Sequence, residues 1–266
     1  LRKPDKPMKK LLLILTFIFS LPQAADAFSV NHDFTVFIGP FNASQTSFMY
    51  ALTPQSYAVA SKVKTFGLFD TLYPFEAKYA TTGHIKNGNL ETSSYKYQSQ
   101  SRFSKRKKEL IYNEQGIPVY RISSKNDKEK KVEITPNPEN NQTTDLQTVF
   151  AELARQYNQL KFCDSRMEVF DGKRRFDIIF KDEGKEELLP NQYSPYAGTA
   201  SKCSMYIDKL GSEGDDLLWQ FTSDRPIYFW ILADEKSGIP FIARVEVEDT
   251  PLGKMNIYTN KATIEE

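Results

Sequence analysis

Residues 163–180 read Cys-Asp-Ser-Arg-Met-Glu-Val-Phe-Asp-Gly-Lys-Arg-Arg-Phe-Asp-Ile-Ile-Phe. The Asp171-Gly172 pair at their centre constrains the fold more than any other dipeptide. Asp and Gly best tolerate the positive φ that both central residues of a type I′ turn require, so the pair predicts a tight β-hairpin. With a two-residue turn, Phe170 faces Lys173, Val169 faces Arg174, Glu168 faces Arg175 and Met167 faces Phe176. One side of the ribbon then carries Met167, Val169, Arg174, Phe176, Ile178 and Phe180, and is the core face. The other carries Glu168, Phe170, Lys173, Arg175, Asp177 and Ile179, with Glu168 and Arg175 as a favourable pair of opposite charges.

Arg174 is the exception on the core face. Its plain reading is a side chain that lays its stem over apolar neighbours and lifts its head to solvent. The functional alternative makes Asp171, Lys173, Arg174 and Arg175 a small surface for contact with an anion or carboxylate. Consecutive charges beside a surface turn are more often simply solvated.

The same alternation recurs along the chain. Asp33–Ile38, Gln45–Leu52, Ser56–Thr65, Leu90–Ser99, Glu109–Asn113, Thr199–Lys209, Pro226–Ala233, Ile239–Asp249 and Lys254–Asn260 all read as strands, separated by Gly, Pro, Asn and Asp signals. Among the separators are Lys86-Asn87-Gly88-Asn89 and Ser212-Glu213-Gly214. Phe241, Ala243, Val245 and Val247 alternate with Ile242, Arg244, Glu246 and Glu248, as in an antiparallel strand with one wet face. Ile227–Leu232 is apolar on both faces and predicts a strand covered twice. A content of 19 Phe and 14 Tyr agrees with mainly β structure. Pro74 predicts a bend or loop between Gly67 and Ala80. The basic run Arg102–Lys108 lacks the aromatic interleaving of a nucleic-acid site and reads as a solvated turn or edge. Asn126–Lys131 reads as an exposed hairpin tip, and Pro136–Asn141 as a linker.

Between residues 144 and 158 the period changes. Leu146, Val149, Phe150, Leu153, Ala154 and Tyr157 form one stripe of an amphipathic helix, with Thr144 and Gln147 placed as a capping box. Such a stripe predicts packing against a sheet rather than a cofactor site.

Met8-Lys9-Lys10, the uncharged apolar run Leu11–Leu21 and Ala25-Asp26-Ala27 compose a signal peptide, residues 1–27, cleaved after Ala27. The apolar run is too short to span a bilayer. The mature chain, residues 28–266, is expected to be a single β-rich domain exported to the periplasm. Its charge sits near neutrality, which gives nucleic acid no electrostatic reason to bind. Both cysteines of the chain lie in the exported part. In an oxidising compartment they predict one bridge, Cys163 to Cys203, and no neighbouring His or Cys-x-x-Cys suggests a redox thiol.

Several stretches resemble the exported bacterial domain-of-unknown-function family three-one-zero-eight. They are Asp145-Leu146, Cys163, Val169–Asp177, Tyr196-x-Gly198 before Cys203, Ile227–Leu232 with Trp230, and Ile239-Pro240-Phe241-Ile242. The resemblance covers most of the exported chain and is most specific from about Leu146 to Gly253. It implies an antiparallel sheet curling into an open barrel, with the helix packed against it, in a Gram-negative cell envelope and with no settled activity. The chain departs from the family after Asn87-Gly88, where relatives tend to carry a proline and Glu91-Thr92 follows Leu90 here.

No motif carries catalysis. Only His32 and His84 are available, no Gly-x-Ser-x-Gly occurs, and Asp182, Glu183, Glu186 and Glu187 lack metal-ligand spacing. The expectation is therefore a monomeric, non-enzymatic protein without cofactor or metal, which does not span the membrane once processed. The first reading is a module that offers a concave apolar face to a lipid, a lipoprotein or another envelope component. The second is a scaffold supporting envelope integrity, and the third an uncharacterised hydrolase. The lining of any cavity between helix and sheet separates the first from the second.

Overall fold

The computed structural model describes residues 27–140, 143–210, 221–250 and 252–265. The signal sequence up to Asp26 and the Ser212-Glu213-Gly214 turn lie outside the described residues. Fourteen strands form one sheet: β1 Phe28–Ile38, β2 Phe41–Leu52, β3 Ser56–Thr65, β4 Phe75–Lys86, β5 Asn89–Ser101, β6 Lys105–Tyr112 and β7 Pro118–Lys125. They continue with β8 Lys128–Glu133, β9 Ser165–Phe170, β10 Arg175–Leu188, β11 Gly198–Lys209, β12 Ile227–Ala233, β13 Pro240–Thr250 and β14 Gly253–Glu265. Helix α1 spans Gly67–Leu72 and α2 spans Leu146–Leu160.

The spatial order is β8-β7-β6-β5-β4-β3-β2-β1-β14-β13-β12-β11-β10-β9, and neighbouring strands are antiparallel throughout. Every connection but one joins adjacent strands. The exception, β8 to β9, carries the chain from one edge of the sheet to the other by way of α2. The sheet curls around that helix, which touches β2 to β5 on one half and β9 and β13 on the other. As a result the β9–β10 turn meets β6 and β7. Arg121 donates to the Gly172 carbonyl at 2.8 Å, and a Cβ on Gly172 would sit 2.4 Å from Leu110 Cδ2. No ladder joins β8 to β9, so the barrel stays open.

Both edges are protected from pairing with other chains. β8 reads Lys-Glu-Lys-Lys-Val-Glu and is almost wholly exposed, which charges that edge. β9 is covered where Thr144 exchanges backbone hydrogen bonds with Glu168 and Phe170 at 2.9 and 3.0 Å.

The helix is enclosed rather than half-wet. Val149, Leu153 and Tyr157 of the apolar stripe are buried, and so are Gln147, Thr148 and Ala151 outside it. The N-cap is Asp145, whose carboxylate accepts from the amides of Gln147 and Thr148. Thr144 is withdrawn into the bridge to β9, and the Gln147 side chain donates to Ser61 Oγ at 2.7 Å, so the expected capping box does not form.

Two further expectations change. The hairpin turn spans four residues, so Phe170 pairs with Arg175, Val169 with Phe176 and Met167 with Ile178. Only Gly172 has positive φ. Asp171 instead accepts from the Lys173 and Arg174 amides, both at 2.9 Å, an Asx turn that removes the need for left-handed backbone at the aspartate. The two-residue type I′ signature falls on Asn87-Gly88, at φ 51° and 80°, which pairs Lys86 with Asn89 and fixes the start of β5. Lys105–Lys108 is not an edge but lies in β6, between β5 and β7. The chain bends at Tyr73-Pro74 as expected, and the segment just before it is the short helix α1, none of whose residues is buried.

Candidate functional site

Asp171, Lys173, Arg174 and Arg175 are brought together at the turn, but Arg174 pairs with Asp171 and Arg175 with carboxylates outside it. Arg174 donates through Nε at 3.0 Å and Nη2 at 2.7 Å to Asp171 Oδ2. Arg175 bridges Glu139 at 2.6 Å and Glu168 at 3.0 Å, the latter now on the diagonal of the ladder. Lys108 of β6 stands 3.7 Å from Asp171. Burial works to raise the Asp171 pKa, but Lys108 and Arg174 outweigh it and hold the carboxyl below the usual range. Burial likewise pushes Lys108 down, with Asp171 opposing. Lys173 is exposed. The turn thus packs against β6 and β7, and Arg174 on the core side pairs with Asp171. Cys163 and Cys203 are bonded, with Cα atoms 6.1 Å apart, and both are fully buried in the cluster of Phe176, Ile178, Phe180 and Phe229.

A second concentration of polar groups lies inside the curl, at the start of α2. Asp145 accepts from Thr81 Oγ1 at 2.9 Å and Thr92 Oγ1 at 3.0 Å as well as from Thr148 and the two cap amides. The Tyr57 hydroxyl lies 3.0 Å from Thr92 Oγ1 and 2.8 Å from Thr148 Oγ1. Burial raises the Tyr57 pKa and the nearby Asp145 charge adds to it, which keeps the phenol neutral. Five donors occupy the carboxylate, so its role is to fasten α2 to β4 and β5. Of the two histidines, His32 is enclosed by Phe34, Phe48 and Tyr50, and burial pushes its pKa down to about 4, with the Phe48 backbone working against it. Its Nε2 accepts from the Ile242 amide at 3.2 Å. Among the described residues, no group of three or more His, Cys, Asp or Glu is placed to hold a metal ion.

Buried side chains of α2 pack into the core beneath the sheet, and several clefts open on the surface. One of them, about 530 Å³, lies between α1 and strands β3 to β6. Six cations line it, Lys64, Lys78, Arg102, Lys105, Arg106 and Lys107, against two carboxylates, Asp70 and Glu76. Strand register explains the convergence. Lys62, Lys78, Gln98 and Lys107 are successive cross-strand partners, and so are Lys64, Glu76, Gln100 and Lys105 two residues further along. Two residues keep a side chain on the same face, so both rows share the face opposite Ala77 and Thr81, which point inward. Glu76 lies 3.4 Å from both Lys62 and Lys78. Its slight desolvation opposes them, but the two ammonium groups hold its carboxyl below the usual range.

Sequence reasoning found Arg102–Lys108 but not the face it belongs to. Lys62 and Lys64 stand some forty positions upstream, and only the pairing of β3, β4, β5 and β6 brings them alongside. The available signal was the alternation of Lys62 and Lys64 in β3, which already put both lysines on one side of a strand.

The family profile described as Protein of unknown function (DUF3108) matches residues 33–257. The chain belongs to this family. The DUF3108 match begins within β1 and ends within β14, so it takes in β2 to β13, α2 and the basic face together with parts of the two central strands. No curated protein matches the chain. Among solved structures the chain is similar to a β-barrel-like protein of domain of unknown function DUF1849 from Brucella abortus, with 8% identity and a TM-score of 0.45. That alignment covers 91% of this chain and 99% of the other. Among the described residues, no helix is long and apolar enough to cross a membrane.

Proposed function

We propose that the protein is an exported, non-enzymatic envelope module that binds an anionic envelope component on the outer face of β3 to β6. The observation that carries this reading is the cleft in which Lys64, Lys78, Arg102, Lys105 and Lys107 meet two carboxylates on a chain whose overall charge is only +1; Arg106 also lines the cleft but pairs with Ser99, opposite Ala77, and so belongs to the other face. A concave surface with an excess of cations concentrates oppositely charged ligands, and lysine and arginine side chains pair with phosphate or carboxylate groups. Helix α2 packs inside the curl, against β2 to β5, β9 and β13, which favours a binding surface on the outside. Export rests on residues 8–27, whose charged start, short apolar run and small-residue end have the order of a cleavable signal.

Calorimetric titration of the purified chain with inorganic tripolyphosphate tests the reading. Saturable binding is expected at low salt, weakening at least about tenfold at several hundred millimolar salt, where surface charges are screened. The Lys105→Glu/Lys107→Glu variant, altered only at exposed positions, is expected to lose it. Absence of binding, or full retention by the double variant, overturns the proposal.

A further inference from the structure

The anion-binding reading leaves the partner open, and the end of the molecule beside the basic cleft names it. Ile38 pairs with Met255, Ser44 with Thr65, Lys64 with Glu76 and Phe75 with Ser101. The β1–β2, β3–β4, β5–β6 and β13–β14 connections therefore project from one end of the sheet. Of the twelve large hydrophobic residues exposed among the described residues, seven sit there, including Phe103 at 84%, Tyr73 at 73%, Leu252 at 65% and Leu68 at 56% exposure. Single apolar side chains are scattered over most soluble surfaces, whereas a cluster at one end marks an interaction site.

Helix α1 makes the point most directly. It buries none of its residues, and Leu68 and Leu72, four positions apart, share one exposed side. Arg102 Nη2 donates to the Thr71 carbonyl at 3.1 Å, which holds the β5–β6 turn, and Phe103 with it, beside the helix. The cationic cleft begins immediately behind these tips, at Lys64, Arg102 and Lys105.

We infer that this end docks on the surface of an anionic phospholipid bilayer. The apolar tips enter the interfacial zone, and the lysines and arginines behind them lie at the depth of the phosphates. Charge complementarity selects the partner, because a cationic cleft beside exposed Leu, Phe and Tyr is the composition that partitions to anionic lipid interfaces. Shape agrees with charge. The tips come from four separate turns and project outward, so a broad surface meets them all, while a narrow ligand would meet one or two. This inference rests on the anion-binding reading and extends it from a phosphate-bearing ligand to the membrane that displays one.

The test is co-sedimentation of the purified chain with phosphatidylcholine vesicles that contain or lack about 30% phosphatidylglycerol, a fraction that supplies a strongly negative surface. Partitioning is expected only to the anionic vesicles. The Leu72→Ser/Phe103→Ser variant is expected to lose about tenfold in partitioning, as befits removing two inserted side chains, while keeping its affinity for tripolyphosphate. A Phe103→Trp variant supplies a second readout, since its emission is expected to shift to the blue on the anionic vesicles. If tripolyphosphate binds and anionic vesicles do not, membrane docking is overturned and the anion-binding reading stands. If neither binds, both fall. Vesicle binding that the serine variant keeps in full, or a wild-type dimer that this variant converts to monomer without any vesicle binding, also overturns the inference.

Discussion

His32 is packed among aromatic rings at 1% exposure, with its Nε2 occupied by the Ile242 amide. Its pKa falls from 6.5 to about 4 because burial penalises the imidazolium. The unfolded chain therefore binds a proton near pH 6.5 that the folded chain refuses until about pH 4. Stability from this residue is complete above pH 6.5, declines as the pH drops towards 4, and changes no further below that; the full loss is about 3 kcal/mol. Urea unfolding of the wild type and of His32→Gln between pH 7 and 4 should show a wild-type advantage that shrinks by about that amount; a constant difference would contradict it. Asp145 makes a different prediction, because its carboxylate satisfies three buried hydroxyls and two helix amides. Asp145→Ala should cost about 1–3 kcal/mol in a urea titration, from a lost cap and stranded donors, and an unchanged midpoint would show that neighbouring threonines replace it. The sequence put the cap one residue early, at Thr144. Both residues suit the position, and only the bridge from Thr144 to β9, a tertiary contact, decides between them.

At the level of elements, the disulfide joins the segment that follows α2 to β11, one strand beyond β9's own partner β10. The bond closes a loop of sequence separation 40. In the chain-entropy picture such a closure stabilises by roughly 3–4 kcal/mol. Cys163→Ala/Cys203→Ala, or reduction of the wild type, should lower the melting temperature accordingly, and an unaltered melting temperature would deny the bridge any role in stability. Strand positions were readable because a period of two survives in β3, β11 and β13. The Asp171 turn was not, because Asp-Gly serves both a type I′ turn and an Asx turn, and the choice depends on what the tip packs against. Gly172 fits against Leu110 and Arg121, residues some fifty to sixty positions upstream. The place of β6 was hidden for a related reason, since four charges in a row look like an edge until β7 and β8 are seen outside them.

For the whole molecule, mainly β structure with one helix packed against the sheet followed from composition and period, and the open barrel from family resemblance, whereas the enclosure of that helix did not show in its stripe. The basic, apolar-tipped end followed from neither. It is assembled from four turns and two cross-strand rows that come together only once the register of β3 to β6 is known. The strand order also bears on how the chain reaches this state. β1 to β8 form one uninterrupted run of neighbouring hairpins and β9 to β14 another, so each can zip locally. The seam between them is the β1–β14 ladder, in which Ser29 meets Glu265 and Ile38 meets Met255. These partners come from opposite extremes of the chain, and closing so long a loop is entropically expensive and slow. The centre of the finished sheet is therefore the pairing with the highest contact order. Rate-limiting assembly belongs at that central seam, and a circular permutant opened between β8 and β9 would turn the same sheet into a meander built wholly from sequence neighbours, with a faster route to the native state.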